Sequence, residues 1–124
     1  MKVIYTIWLG SDTAGVFGEG PYRLLKGVRT TGSLKEAAAD IGMAYSGARR
    51  VIRNCEKELG FALVYRKRGG VSGGCSTVTA EALKLMREYE AICADMEGAV
   101  RRAYEKHFGE PVEAEVYTVS KRRR

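Results

Sequence analysis

The stretch YSGARRVIRNCEKEL, residues 45–59, sets Ser46, Arg49, Arg50, Arg53 and Lys57 at spacings that fall on one side of a helix, with Tyr45 at the head of the row. Guanidinium groups stay protonated at physiological pH, so this pattern is unsuited to proton transfer. It can donate forked pairs of hydrogen bonds to planar or anionic acceptors. The positions between them, Ala48, Val51, Ile52, Cys55 and Leu59, recur at helical spacing and form an opposite, apolar face. Gly47 interrupts the helix former pattern, where it costs about 1 kcal/mol relative to alanine and would permit a close approach to another backbone.

Several elements must position that row. Residues 3–9, VIYTIWL, are β-branched and aromatic and predict a strand, followed by the turn GSDTAG and a short returning strand at Val16 and Phe17. Pro21 suits the start of a first helix burying Leu24, Leu25 and Val28, and Gly32 suits its left-handed end. Ser33 and Glu36 have the spacing of a capping box for a second, short helix ending near Gly42. The arginine-rich helix follows from about Tyr45 to Leu59. Leu63, Val64 and Tyr65, the loop RKRGGVSGG, and CSTVT then predict a β-hairpin with a basic, glycine-rich tip.

Thr79 can cap a fourth helix that continues to about His107 without an internal proline. Along it Ala82, Leu85, Tyr89, Ile92, Met96, Ala99 and Ala103 alternate by three and four, the seam of a two-stranded coiled coil. A second line, Leu83, Met86, Cys93 and Val100, would face the domain. Both lines could also pack in a single core, but a helix of about 29 residues at about 1.5 Å each would overhang a monomer of this size, which favours a dimer. The last residues, EPVEAEVYTVSKRRR, read as a mobile end whose KRRR run is a solvated tail or an added source of nonspecific DNA affinity. The organisation expected is one unit over residues 1–78, the long helix over 79–108 and a tail over 109–124.

Composition narrows the chemistry. The 124 residues carry a net charge of +6. Residues 21–78 hold eleven Lys/Arg against four Asp/Glu, a net +7, whereas residues 79–110 hold five against seven, a net −2. The excess lies where a polyanion would bind. Cys55, Cys75 and Cys93 form no C-x-x-C pair, and His107 is the sole histidine, so no disulfide framework, metal site or acid–base constellation is indicated. Cys75 beside cations and Cys93 near the seam are either redox thiols or plain isolated cysteines. The glycine-rich loop lacks the G-x-x-x-x-G-K-[ST] pattern of a nucleotide cradle. No apolar run approaches the roughly 20 residues of a membrane span. No cofactor, no membrane association and no small-molecule site are expected, and the location expected is cytoplasmic.

Two short helices joined through a glycine turn, the second cationic and followed by a basic hairpin, make a winged helix-turn-helix. The expected fold is mainly α with a small β component: that motif, an N-terminal strand or hairpin, and a long C-terminal dimerisation helix. Such a second helix enters the major groove of double-stranded DNA, where an arginine fork matches guanine O6 and N7, while other cations neutralise phosphates. DNA contact is expected of Ser33, Tyr45, Ser46, Arg49, Arg50, Arg53, Arg66, Lys67 and Arg68, with Arg66 to Arg68 against phosphate or in the minor groove. A homodimer interface is expected of Leu85, Tyr89, Ile92, Met96, Ala99 and Ala103.

Over residues 16–90 the chain also resembles the N-terminal DNA-binding domain of the molybdate-responsive regulator ModE and its short relatives, which are related to LysR-type winged-helix domains. The likeness rests on G-S-L-x-x-A-A at residues 32–38, G-M-x-Y at residues 42–45, and the glycine-rich wing leading into T-x-T at residues 77–79. It implies a homodimeric transcription regulator of bacteria or archaea, not an enzyme, whose long helix pairs two winged domains on a palindromic operator. Full ModE proteins carry molybdate-binding domains after that helix, whereas about 17 residues follow His107 here, so oxyanion sensing by that route is not implied. Arg49 and Arg50 stand where relatives often have an aromatic residue after the alanine, and the operator sequence does not transfer. The alternatives are a nonspecific architectural DNA-binding protein, a protein-interaction module on the same fold, and a small oxyanion-binding protein that uses the dimer interface.

Overall fold

A computed structural model describes residues 2–12, 14–67, 75–111 and 113–116, with Lys67 and the last four described by backbone alone. The chain order is β1 (Lys2–Tyr5), β2 (Leu9–Gly10), β3 (Gly15–Phe17), α1 (Glu19–Thr31), α2 (Leu34–Asp40), α3 (Tyr45–Leu59), β4 (Val64–Lys67), β5 (Cys75–Val78), α4 (Ala80–Phe108) and β6 (Glu113–Val116). This is the mostly helical winged helix-turn-helix expected. The strands form three separate pairs: β1 with β6, β2 with β3, and β4 with β5.

Local chemistry sets the helix ends. Glu19 lies in the first turn of α1, where a carboxylate complements the exposed N–H groups. Gly32 closes α1 at φ 73°, its N–H bonded to the Val28 carbonyl. The Ser33 hydroxyl then accepts from Glu36 N at 3.1 Å and starts α2. Gly42, at φ 71°, turns the chain toward α3. A methyl group on Gly27 would lie 2.6 Å from Ala37 Cβ, so α1 and α2 pack closer than any side chain at that position would allow.

The core collects one face from each helix. Leu24, Leu25 and Val28 of α1, Ala37 and Ala38 of α2, Ala48, Ile52 and Cys55 of α3, and Met86 and Tyr89 of α4 are buried together with Phe17 and Leu63. Each large apolar side chain so placed stabilises the fold by about 1.5–3 kcal/mol. Around Tyr89 the packing is aromatic: Phe17 meets it edge-on and Tyr22 tilted, both with ring centroids 5.3 Å away.

Three expectations need correction. Residues 3–9 do not form one strand; the pairing breaks between β1 and β2. There the Ile7 carbonyl accepts from the Tyr89 hydroxyl at 3.1 Å instead of from a neighbouring strand. Residues 113–116, expected in a mobile end, form β6 parallel to β1, with Lys2 opposite Glu113 and Tyr5 opposite Val116. Residues 117–124, including the KRRR run, lie outside the described residues.

The third correction is Tyr89, expected at the dimer seam. It is 2% exposed and belongs to the protomer's own core, as does Ala82. The inward face of α4 runs through Ala82, Met86 and Tyr89 to Cys93 and Tyr104. Tyr89 is close enough to that face, at about 100° of rotation per residue, for Phe17 and Tyr22 to capture its ring.

Candidate nucleic-acid interface

The cationic row of α3 stays on the surface because the other face of the helix is committed to the core. Ser46, Arg50 and Arg53 are exposed, and Arg49 and Tyr45 are half-buried. Across a short gap stands β4, whose Arg66 is exposed. The Arg66 guanidinium donates to the Tyr45 hydroxyl. Both Arg66 and Arg49 place their guanidinium carbons 5.8 Å from the centroid of the Tyr45 ring, within reach of the attraction between a cation and an aromatic face. Tyr45 thus sits between a cation of the helix and a cation of the hairpin.

A cleft of about 150 Å3 between these elements gathers Arg49, Arg53 and Arg66 around Glu56, with Leu34 and Ile52 as its apolar floor. Glu56 is turned to the backbone. Its Oε2 accepts from Leu63 N at 2.7 Å and Val64 N at 3.3 Å, locking the end of α3 to the start of β4. A carboxylate held by two amides fixes the relative placement of the cations instead of capturing one of them. Two further bonds hold the hairpin: Ser76 N donates to the Gly32 carbonyl at 2.8 Å, and Thr79 N to the Leu63 carbonyl at 3.0 Å. Thr79 also caps α4 by accepting from Ala82 N at 3.1 Å, while its own hydroxyl donates to the Ala62 carbonyl at 2.7 Å.

Of the residues singled out in the sequence, Tyr45, Arg49, Arg53 and Arg66 come together. Ser46 and Arg50 share the exposed side of α3 outside the cleft. Ser33 is half-buried at the start of α2 and is engaged as its cap. Lys67 is in β4 with its side chain outside the description, and Arg68 and the glycines of the loop lie outside the described residues. Glu56 was not anticipated. An acid inside a cationic helix, shared with Glu58 two residues on, is the available signal, but the bonds of Glu56 to residues 63 and 64 require the folded chain.

Cys55, on the inner face of α3, donates from its thiol to the Val16 carbonyl at 3.0 Å. Burial, with Glu56 adding to it, pushes the thiol up to about 11, so it remains a protonated donor at neutral pH. Cys75 is exposed at the start of β5. Among the described residues no group of three potential ligands could hold a metal ion, and no helix is long and apolar enough to cross a membrane.

On α4, Leu85 is half-buried, Ile92 and Met96 are each 41% exposed, and Ala99 and Ala103 are exposed. With Tyr89 removed, Ile92, Met96, Ala99 and Ala103 still form one outward line, and Leu85 at its head packs partly against the core.

A short bracing helix, a second helix with an outward cationic face, and a hairpin bonded to that second helix and to the end of α1 define a winged helix-turn-helix DNA-binding domain. Residues 22–83, half of the chain, match the bacterial regulatory helix-turn-helix protein, lysR family, and the protein belongs to that family. Its fold is similar to that of ArgP from Mycobacterium tuberculosis in a crystal structure, with a TM-score of 0.50 and 18% sequence identity. The similarity covers 80% of this chain and 43% of that one, so the chain spans less than half the length of that structure. Among curated proteins no sequence matches.

Proposed function

We propose that the protein is a sequence-specific transcription regulator that binds double-stranded DNA as a homodimer, with α3 in the major groove and the β4–β5 hairpin against the adjacent backbone. The observation that carries this reading is the Tyr45 junction, where Arg49 of α3 and Arg66 of β4 flank one ring and make a single cationic surface from two elements. Arg49, Arg50 and Arg53 supply forked donors for base edges or phosphates, Tyr45 and Ser46 supply hydroxyls at the start of α3, and Arg66 to Arg68 neutralise phosphate. Ser33, at the start of α2, contributes through its placement of the bracing helix and the proton its hydroxyl retains.

The homodimer reading rests on α4. Ile92 and Met96 are large apolar side chains left in water, aligned with Leu85, Ala99 and Ala103, and a second copy would cover them by the same three-four spacing. Kinship with the short relatives of ModE refines the family assignment and rests on residues 32–38 and 42–45. DNA as the target places the protein's work in the compartment that holds the chromosome, in keeping with the cytoplasmic location expected from the sequence.

The test is a fluorescence-anisotropy titration against DNA from upstream of the protein's own gene and against a scrambled duplex, at several salt concentrations. A preference of about a thousandfold for the first is the expected result. Equal and steeply salt-dependent binding to both would instead describe an architectural DNA-binding protein.

A further inference from the structure

The flank of α3 turned away from Arg49 closes a second cleft, of about 500 Å3, against β3, the start of α1 and the residues before β2. Sites for small molecules commonly enclose about 300–1,000 Å3. One wall is Trp8, whose ring lies flat on backbone: a Cβ on Gly18 would be 2.6 Å from Trp8 Cδ2, and one on Gly15 would be 3.0 Å from it. A side chain at either glycine would displace the ring, so the indole is seated, yet 43% of the residue remains exposed. Val16 and Pro21 line one side of the cleft and Val51 the other. The bond from the Cys55 thiol to the Val16 carbonyl ties the two sides together, so the cavity exists without rearrangement.

We propose that this cleft binds a small, neutral, planar aromatic molecule bearing an amide-type edge, and that its occupancy alters DNA affinity. Planarity follows from the flat indole wall, which favours stacking. The polar end is set by Asn54, whose amide offers a donor and an acceptor side by side and is complementary to another amide. Neutrality follows from the rim, where Lys57 and Glu58 carry opposite charges and favour neither sign of ligand. Coupling follows from the walls: Val51, Asn54 and Cys55 belong to the helix that carries Arg49, Arg50 and Arg53. A molecule wedged between that helix and β3 acts on its placement, and DNA must affect ligand affinity by the same factor. This coupling rests on the DNA-binding reading above, whereas the binding site does not.

Trp8 is the sole tryptophan of the chain, so its emission reports the cleft directly. The probe is benzamide, titrated into the full chain with excitation at the red edge of indole absorption. We expect a saturable change in emission, with weaker binding of benzoate, which is charged, and of cyclohexanecarboxamide, which is not planar. Val51→Phe fills the cleft and should abolish the change. Asn54→Ala alters an exposed position and spares the core; it should weaken benzamide about tenfold, the loss of a hydrogen bond. No saturation up to the solubility of benzamide, or the same response in both variants, would overturn the site. In a second arm, DNA affinity is measured with and without saturating benzamide. A change of about fivefold or more is expected. Unchanged DNA affinity with benzamide bound overturns the coupling alone, and absence of DNA binding removes the coupling together with the proposed function while the emission arm still decides the site.

Discussion

Helices α3 and α4 are both amphipathic, and they differ in what their second face offers. The inner face of α3 is satisfied by Ala48, Ile52 and Cys55, and its outer face is cationic, suited to a polyanion. The inner face of α4 is satisfied through Tyr89, but its outer face leaves Ile92 and Met96 in water, suited to another apolar surface. The charge of the two regions follows the same division, +7 over residues 21–78 and −2 over residues 79–110. A negative, apolar helix would be repelled by DNA at the place where a cationic one is held. In the proposed function the two helices therefore divide recognition of nucleic acid from recognition of protein.

The sharpest way to break this comparison is on α4 itself. Tyr89→Ala should lower stability by about 3–5 kcal/mol, the cost of emptying an aromatic core position, whereas Met96→Ala should change the stability of the protomer by less than about 0.5 kcal/mol; urea denaturation at a concentration that keeps the protein monomeric measures both. Similar losses at the two sites would contradict the inward placement of Tyr89. Next in size, Arg49→Glu combined with Arg50→Glu should reduce operator affinity about a hundredfold or more, since each arginine contact contributes about 1–3 kcal/mol. Sedimentation should show the dimer unchanged in that variant.

The converse experiment places charge on the other helix. Ile92→Glu with Met96→Glu should weaken self-association at least about tenfold, the equivalent of 1.4 kcal/mol, with circular dichroism unaltered; a dimer of undiminished strength would move the interface elsewhere. The smallest effect belongs to the junction of α3 with the hairpin. Tyr45→Phe keeps the ring between Arg49 and Arg66 and removes the hydroxyl that accepts from Arg66. It should weaken DNA binding by less than about tenfold, the range of one hydrogen bond, while Tyr45→Ala should weaken it further.

Much of the fold is legible because it is locally encoded. The bounds of α3, the left-handed end of α1 at Gly32, the cap at Ser33 and the start of α4 after Thr79 all follow from residues within one turn of the feature. What escapes is set at long range. Nothing near Tyr89 announces Phe17 or Tyr22, and heptad spacing alone does not show which member of a line turns inward. The alternation in EAEV is compatible with a strand, yet β6 exists because β1 is available from the far end of the chain. The candidate site divides in the same way. Helical spacing displays the arginine row, whereas the meeting of Tyr45 with Arg66 and the anchoring of Glu56 to residues 63 and 64 depend on how α3 and the hairpin are assembled.

The parallel pairing of β1 with β6 turns the intervening chain into a closed ring. Closing so long a loop carries an entropy penalty that rises with its length, and an isolated two-stranded pair is only marginally stable. That contact should therefore form late in folding and open first, so amide hydrogens of residues 2–5 should exchange faster than those of α1 or α3. Opening this latch frees one edge of α4 while leaving the helix-turn-helix closed, which separates the lifetime of the ring from the lifetime of the DNA-facing surface.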